Sequence, residues 1–61
     1  MTRAQIHNKA IGIIEREESL AHEVAQNKGQ KFENVKHMRW FKLAVEAEIW
    51  KQLPYKDRPP I

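Results

Sequence analysis

The second half of the chain contains a helical segment that is apolar on two sides, and no other feature constrains the fold as strongly. Residues 32–53 are rich in helix-forming side chains, and Pro54 ends the segment because its ring disfavours helical geometry in the preceding residue. With about 100° of rotation per residue, the apolar side chains gather on two sides that lie roughly 160° apart. A helix with two apolar sides is expected to be buried from both. The first side comprises Met38, Phe41, Val45 and Ile49, and the second comprises Trp40, Leu43, Ala47 and Trp50.

The first half predicts another helix, over about residues 3–27. Thr2 and Gln5 have the spacing of a capping box, in which each side chain bonds the other residue's free backbone N–H. Gly29 follows a lysine and can adopt the positive φ that ends many helices, so a turn is expected at about residues 28–31. Residues spaced three and four apart form one apolar stripe on this helix: Ile6, Ala10, Ile13, Ile14, Leu20, Ala21 and Val24.

Two helices joined by a short turn predict an all-α fold, an antiparallel two-helix hairpin over residues 1–53. Residues 54–61, PYKDRPPI, contain three prolines and are expected to form an extended tail. A chain of 61 residues buries little surface, and without cysteine it has neither a disulfide nor a thiolate zinc site to brace it. Oligomerisation is the remaining way to stabilise so small a core.

A single hairpin can cover only one apolar side of the second helix. We therefore expect the second apolar side to contact either a partner subunit or a target protein. The preferred arrangement is a homodimer in which two hairpins form a four-helix assembly around this side. Whether the two copies run parallel or antiparallel stays open. The predicted interface residues are Trp40, Leu43, Ala47 and Trp50.

Glu17 is the one carboxylate near the centre of the apolar stripe of the first helix. A buried carboxylate without a partner is costly, so a cation is expected opposite it. If the turn is centred near Gly29, the residue of the second helix opposite Glu17 is Lys42, which lies one turn from Arg39. The pattern favours a structural ion pair that fixes helix register or dimer identity, and a catalytic acid is the alternative.

The chain has a formal charge of +3, and the excess lies in its second half. Lys36, Arg39 and Lys42 surround Trp40, and such residues can neutralise phosphates while an aromatic ring stacks on a base. The three cations lie on different faces of the helix and do not form one line that could follow a phosphate backbone, which weakens this interpretation. An RNA- or DNA-binding dimer with a Rop-like hairpin architecture is therefore the alternative to protein association.

The sequence carries no pattern typical of an enzyme. His22 and Glu23 begin the string HEVAQ, which imitates the HExxH helix of zinc proteases but has glutamine where the second histidine ligand must stand. The chain also lacks a glycine-rich phosphate loop and a recognisable Ser/His/Asp arrangement. We expect a non-enzymatic protein with no metal and no cofactor.

The opening residues, MTRAQIHNKAIGII, contain no apolar run long enough to span a bilayer and no cleavage pattern, which favours a cytoplasmic protein. The MTRAQ opening, the small size, the absence of cysteine and the hairpin pattern resemble small accessory proteins from the early regions of temperate bacteriophages. That resemblance implies a regulatory or adaptor protein that binds a host or phage factor in the host cytoplasm. It assigns no site residue.

Overall fold

The computed structural model describes residues 1–58, and all of the regular structure in that range is helical. The all-α prediction is confirmed. The two-helix hairpin is not confirmed, because both predicted helices are broken. The first becomes two helices, and a single helical turn separates from the start of the second. The elements are α1 (Arg3–Glu15), α2 (Ser19–Asn27), α3 (Phe32–Val35), α4 (Arg39–Gln52) and a 3₁₀ turn (Tyr55–Asp57).

The break between α1 and α2 is centred on Glu17, which adopts a φ of 51°. Its N–H donates to the carbonyl of Ile14 at 3.1 Å, and the N–H of Glu18 donates to the carbonyl of Ile13 at 3.0 Å. This pair of bonds is a Schellman motif, with glutamate at the left-handed position that glycine normally occupies. The turn lets α1 and α2 both pack against α4. Glu17 is exposed as a result, so the prediction of a buried carboxylate is wrong.

The break before α4 is centred on Met38, whose extended backbone separates α3 from α4. Its N–H donates to the carbonyl of Val35 at 2.8 Å, which closes α3. Phe32 and Val35 are buried, whereas Met38 is 47% exposed. The prediction that Met38 joins the core is therefore wrong, because it caps α4 and does not lie within the helix.

Two of the predicted helix ends are confirmed. Thr2 and Gln5 form the capping box, with bonds of 2.7 Å and 3.1 Å between side chains and backbone N–H groups. Gly29 adopts a φ of 68°, and its N–H donates to Gln26 while the N–H of Gln30 donates to Ala25, both at 3.0 Å. These bonds form a second Schellman motif at the end of α2.

The core lies between α4 and the pair α1 and α2, and α3 packs against α2 at its edge. The predicted inner side of α4 is buried at Phe41, Val45 and Ile49. Phe32 packs edge-on against Phe41, with ring centroids 5.9 Å apart. No polar or charged side chain is buried in residues 1–58. The remaining core residues are Ile6, Ala10, Ile13 and Ile14 of α1, Ala21, Val24 and Ala25 of α2, and Val35 of α3.

The segment after α4 turns back toward the chain start and is not extended as predicted. The amino group of Met1 donates to the carbonyl of Asp57 at 2.8 Å. The guanidinium of Arg58 donates to the carbonyls of Leu53 and Lys51 at 3.2 Å and 3.3 Å. These bonds hold the 3₁₀ turn beside the start of α1. The rest of the predicted tail, residues 59–61, lies outside the described residues.

Candidate interaction surface

The side of α4 that points away from the core is the second apolar side predicted from the sequence. We call Trp40, Leu43, Ala47 and Trp50 the outer face of α4. Trp40 is 42% exposed and Leu43 is 58% exposed, while Ala47 is also exposed. Trp50 is partly buried because one part of its ring packs against the core. The four side chains follow one another at spacings of three and four residues, so they form a continuous row.

Core packing fixes the orientation of this row. Phe41, Val45 and Ile49 are each at most 3% exposed, so rotation of α4 about its axis would expose them. The ring of Trp40 contacts Phe41 edge-on, with centroids 5.9 Å apart and an angle of 89° between the ring planes. The outer face is therefore presented by a helix that its own core holds in place.

Two depressions meet at the middle of the outer face because Ala47 has a short side chain. One lies between α1 and α4 and has a volume of about 380 Å³. The other lies between α2 and α4 and has a volume of about 240 Å³. Ala47 and Lys51 line both. The first is completed by Arg3, Ile6, Glu46 and Trp50, and the second by Val24, Asn27, Lys28, Ala44 and Glu48.

The charged side chains around the outer face are mainly cationic. Arg39 stands one turn before Leu43, and Lys51 stands one turn after Ala47; both cations are exposed. Arg3 reaches the same surface from α1. The nearby carboxylate of Glu46 is already engaged, since its Oε2 lies 3.1 Å from Nδ1 of His7.

The predicted ion pair between Glu17 and Lys42 or Arg39 is not formed in residues 1–58. Glu17 lies in the turn after α1 instead of on a buried helix face, which removes the reason for expecting a pair. Glu17 and Lys42 do line one polar depression of about 380 Å³, together with Lys36. The three salt bridges of the described chain are His7–Glu46, Arg16–Glu18 and Lys36–Glu33.

The predicted basic cluster is divided by the break before α4. Lys36 lies outside α4 and bonds Glu33 at 2.9 Å, and this hydrogen bond and the charge of Glu33 raise the pKa of Lys36. Arg39 and Lys42 belong to the first turn of α4, and that turn contains no acidic residue. Of the three predicted phosphate contacts, Lys36 forms a salt bridge, and Arg39 and Lys42 form none within residues 1–58.

Two of the three histidines make side-chain contacts, His7 with Glu46 and His22 with Phe32. His22, in the HEVAQ string, stacks on Phe32 with ring centroids 4.5 Å apart. Across residues 1–58, no cluster of three or more His, Asp or Glu side chains is placed to hold a metal ion. The same range contains no helix of sufficient length and apolarity to cross a membrane.

Sequence reasoning missed the residues of α1 that border the outer face. Arg3 and Ile6 line the depression beside Trp50, and His7 lies against Glu46. These contacts show that α1 runs antiparallel to α4, with its start beside the end of α4. The antiparallel pairing predicted from the sequence brings the start of the first helix near the end of the second, but the levels that meet depend on how α1 crosses α4. Comparison of the chain with protein-family models, curated proteins and solved structures returns no match.

Proposed function

We propose that this chain is a non-enzymatic regulatory or adaptor protein that acts by protein–protein association through the outer face of α4. The observation that carries the proposal is the exposure of Trp40 and Leu43 in one continuous row. Contiguous apolar surface on a folded chain marks an interaction site more often than isolated apolar residues do. Tryptophan is also enriched among the residues that dominate binding energy at interfaces.

The rigidity of the surface supports the proposal. The ring of Trp40 contacts Phe41 and that of Trp50 packs partly against the core, so part of their side-chain freedom is already lost before binding. A typical stable interface buries about 800 Å² on each partner, which is more than four side chains on one helix expose. A partner would therefore also cover the depressions on both sides of Ala47 and the charged side chains beside them.

A second copy of the chain is one possible occupant, and it gives the predicted homodimer. Two α4 helices would meet across a two-fold axis, each burying the outer face of the other. Sedimentation at micromolar concentration tests this arrangement. A dimer would have about twice the 7.3 kDa mass of the chain, whereas a monomer would leave the face open for a different protein.

The experiment that tests the proposed function is a pull-down with matched baits from the cells that encode the protein. Leu43→Glu places a charge at the most exposed large side chain of the outer face, and Asn8→Glu makes the same charge change on the exposed side of α1. The wild-type and Asn8→Glu baits should capture the same protein, and Leu43→Glu should lose it. Capture of identical proteins by all three baits would contradict the proposal.

RNA or DNA binding is the second candidate function. The observation that favours it is the first turn of α4, where Arg39 and Lys42 lie beside the exposed Trp40. A titration with mixed single- and double-stranded nucleic acid near physiological salt tests it. Submicromolar binding that is lost when Lys36, Arg39 and Lys42 are replaced would favour this candidate, because non-specific attraction alone gives dissociation constants of roughly 10⁻⁴ to 10⁻⁶ M.

The identity of the partner follows only from the resemblance noted for the sequence. Small accessory proteins of temperate phages imply a host or phage regulatory factor as the protein that is bound. The pull-down distinguishes this case from nucleic-acid binding when it is repeated with nuclease. A captured protein that survives nuclease treatment is bound directly, whereas one that disappears was held through nucleic acid.

A further inference from the structure

The outer face of α4 has cations at both of its ends. Arg39 lies at the start of the row and Lys51 at its end, and Arg3 adds a third cation beside Trp50. The acidic side chain on the α1 side, Glu46, is held by His7 at 3.1 Å. A partner that covers the row therefore meets cations at both of its ends, while the carboxylate of Glu48 lies beside its middle on the α2 side.

This charge pattern disfavours a second copy of the chain as the occupant. If two α4 helices met in antiparallel orientation, Arg39 of one copy would approach the end of α4 that carries Lys51 in the other. In parallel orientation, each cation would approach the same residue of the other copy. Both arrangements place Arg39 and Lys51 opposite cations at the ends of the contact, where carboxylates would be favoured.

The shape of the surface suits a helix. The row from Trp40 to Trp50 spans about 15 Å along the axis of α4, which matches roughly three turns of a second helix. Ala47 leaves space in the middle of the row, where the depression beside Trp50 has a volume of about 380 Å³ and can receive an apolar side chain. Helices that dock on such surfaces use apolar residues spaced three, four and seven apart.

We infer that the outer face of α4 docks an amphipathic helix of a different protein, with apolar residues on its inner side and Asp or Glu on its flanks. The carboxylates lie near Arg3, Arg39 and Lys51, and an apolar side chain enters the depression at Ala47. The inference rests on the proposed function and adds the chemistry of the partner to it.

Two designed helical peptides test this chemistry. Both carry the same row of leucines; one has glutamates on its flanks and the other has lysines at the same positions. Trp40 and Trp50 are the two tryptophans of the chain and both belong to the outer face, so their fluorescence reports docking directly. The glutamate peptide should shift the emission to shorter wavelength and bind about tenfold more tightly than the lysine peptide, with the difference shrinking as salt is added.

Three variants make the test specific to the surface. Ala47→Glu puts a carboxylate where the apolar side chain should enter, and should abolish binding of the glutamate peptide. Asn8→Glu makes the same charge change away from α4 and should bind as the wild type does. The double variant of Arg39→Glu and Lys51→Glu should reverse the preference in favour of the lysine peptide. Far-ultraviolet circular dichroism should show the same helix content in all three, since all four positions are exposed.

Several results would overturn the inference. Equal binding of the two peptides, or binding that survives Ala47→Glu, would remove the role of charge or of the surface. A wild-type dimer that becomes monomeric in Ala47→Glu would assign the face to a second copy. A stronger emission shift with phosphatidylglycerol vesicles or single-stranded oligonucleotides than with the glutamate peptide would assign it to a lipid or a nucleic acid.

The inference and the proposed function fail in different ways. If Leu43→Glu loses a captured protein but the two peptides bind equally, the face is a protein-binding surface and only the acidic helix is wrong. If Leu43→Glu captures everything that the wild type does, the proposed function itself is wrong.

Discussion

His7 on α1 and Glu46 on α4 face each other across the packed helices, with Nδ1 and Oε2 separated by 3.1 Å although the residues are 39 positions apart. The side chain of His7 is 51% exposed and that of Glu46 is 22% exposed. This contact marks the level at which the two helices meet. It also occupies a carboxylate that would otherwise offset the cations around the outer face of α4.

The contact should contribute little to stability. In a double-mutant cycle of His7→Ala and Glu46→Gln, the coupling measured by urea unfolding should be below about 1 kcal/mol, because exposed ion pairs are solvated and screened. The cycle should be run at low and high salt, and the coupling should shrink at high salt. A coupling well above this value that does not change with salt would show that the pair is shielded from solvent.

Glu17→Gly should stabilise the protein by about 1 kcal/mol, because a non-glycine residue at positive φ carries roughly that conformational cost. Glu17→Ala keeps the Cβ atom and the cost, so its free energy of unfolding should stay close to that of the wild type. If Glu17 formed the predicted ion pair with Lys42, both substitutions would instead destabilise the chain, because both remove the carboxylate. A loss of stability in both variants would restore that pair.

Sequence patterns predicted the faces of the helices better than their lengths. Phe41, Val45 and Ile49 are buried where the period of 3.6 residues places them, because burial depends on side-chain chemistry around the axis. The breaks at Glu17 and Met38 were missed. Neither position is glycine or proline, so neither carries the local signal that usually ends a helix.

The breaks come from tertiary packing. A straight helix over residues 3–27 could follow α4 along only one line, whereas the turn at Glu17 lets α1 and α2 pack against α4 separately. The outer face of α4 was predictable because its residues repeat within one unbroken helix. The depressions and cations contributed by α1 and α2 were not, since they depend on how those helices cross α4.

The two glycines should respond to alanine with opposite signs. Gly29 has a φ of 68° and open space where a Cβ atom would stand, so Gly29→Ala should destabilise by about 1 kcal/mol through conformation alone. Gly12 lies within α1, and a Cβ atom there would meet only the flexible guanidinium of Arg16 at 3.0 Å. Gly12→Ala should therefore stabilise by up to about 1 kcal/mol through helix propensity.

Both changes can be read from urea unfolding midpoints under one set of conditions. Gly29→Asn serves as a matched variant for the turn, because asparagine tolerates positive φ and should cost less than alanine. A stabilising Gly29→Ala would contradict the Schellman motif at the end of α2. A destabilising Gly12→Ala would show that the Arg16 guanidinium cannot move aside.

Trp40 and Phe41 are neighbours in sequence but should differ sharply when replaced by alanine. Phe41 is fully buried, so Phe41→Ala should lose about 3–5 kcal/mol, which approaches the whole stability expected of so small a domain. Trp40 is 42% exposed, and Trp40→Ala should lose only about 1 kcal/mol while removing most of the binding to a partner. Unfolding curves at several protein concentrations separate the two effects. Two results together would assign the outer face of α4 to a dimer core: Trp40→Ala lowers the free energy of unfolding as much as Phe41→Ala does, and the wild type becomes more stable at higher protein concentration. The ring of Trp40 would then be buried between two copies of the chain.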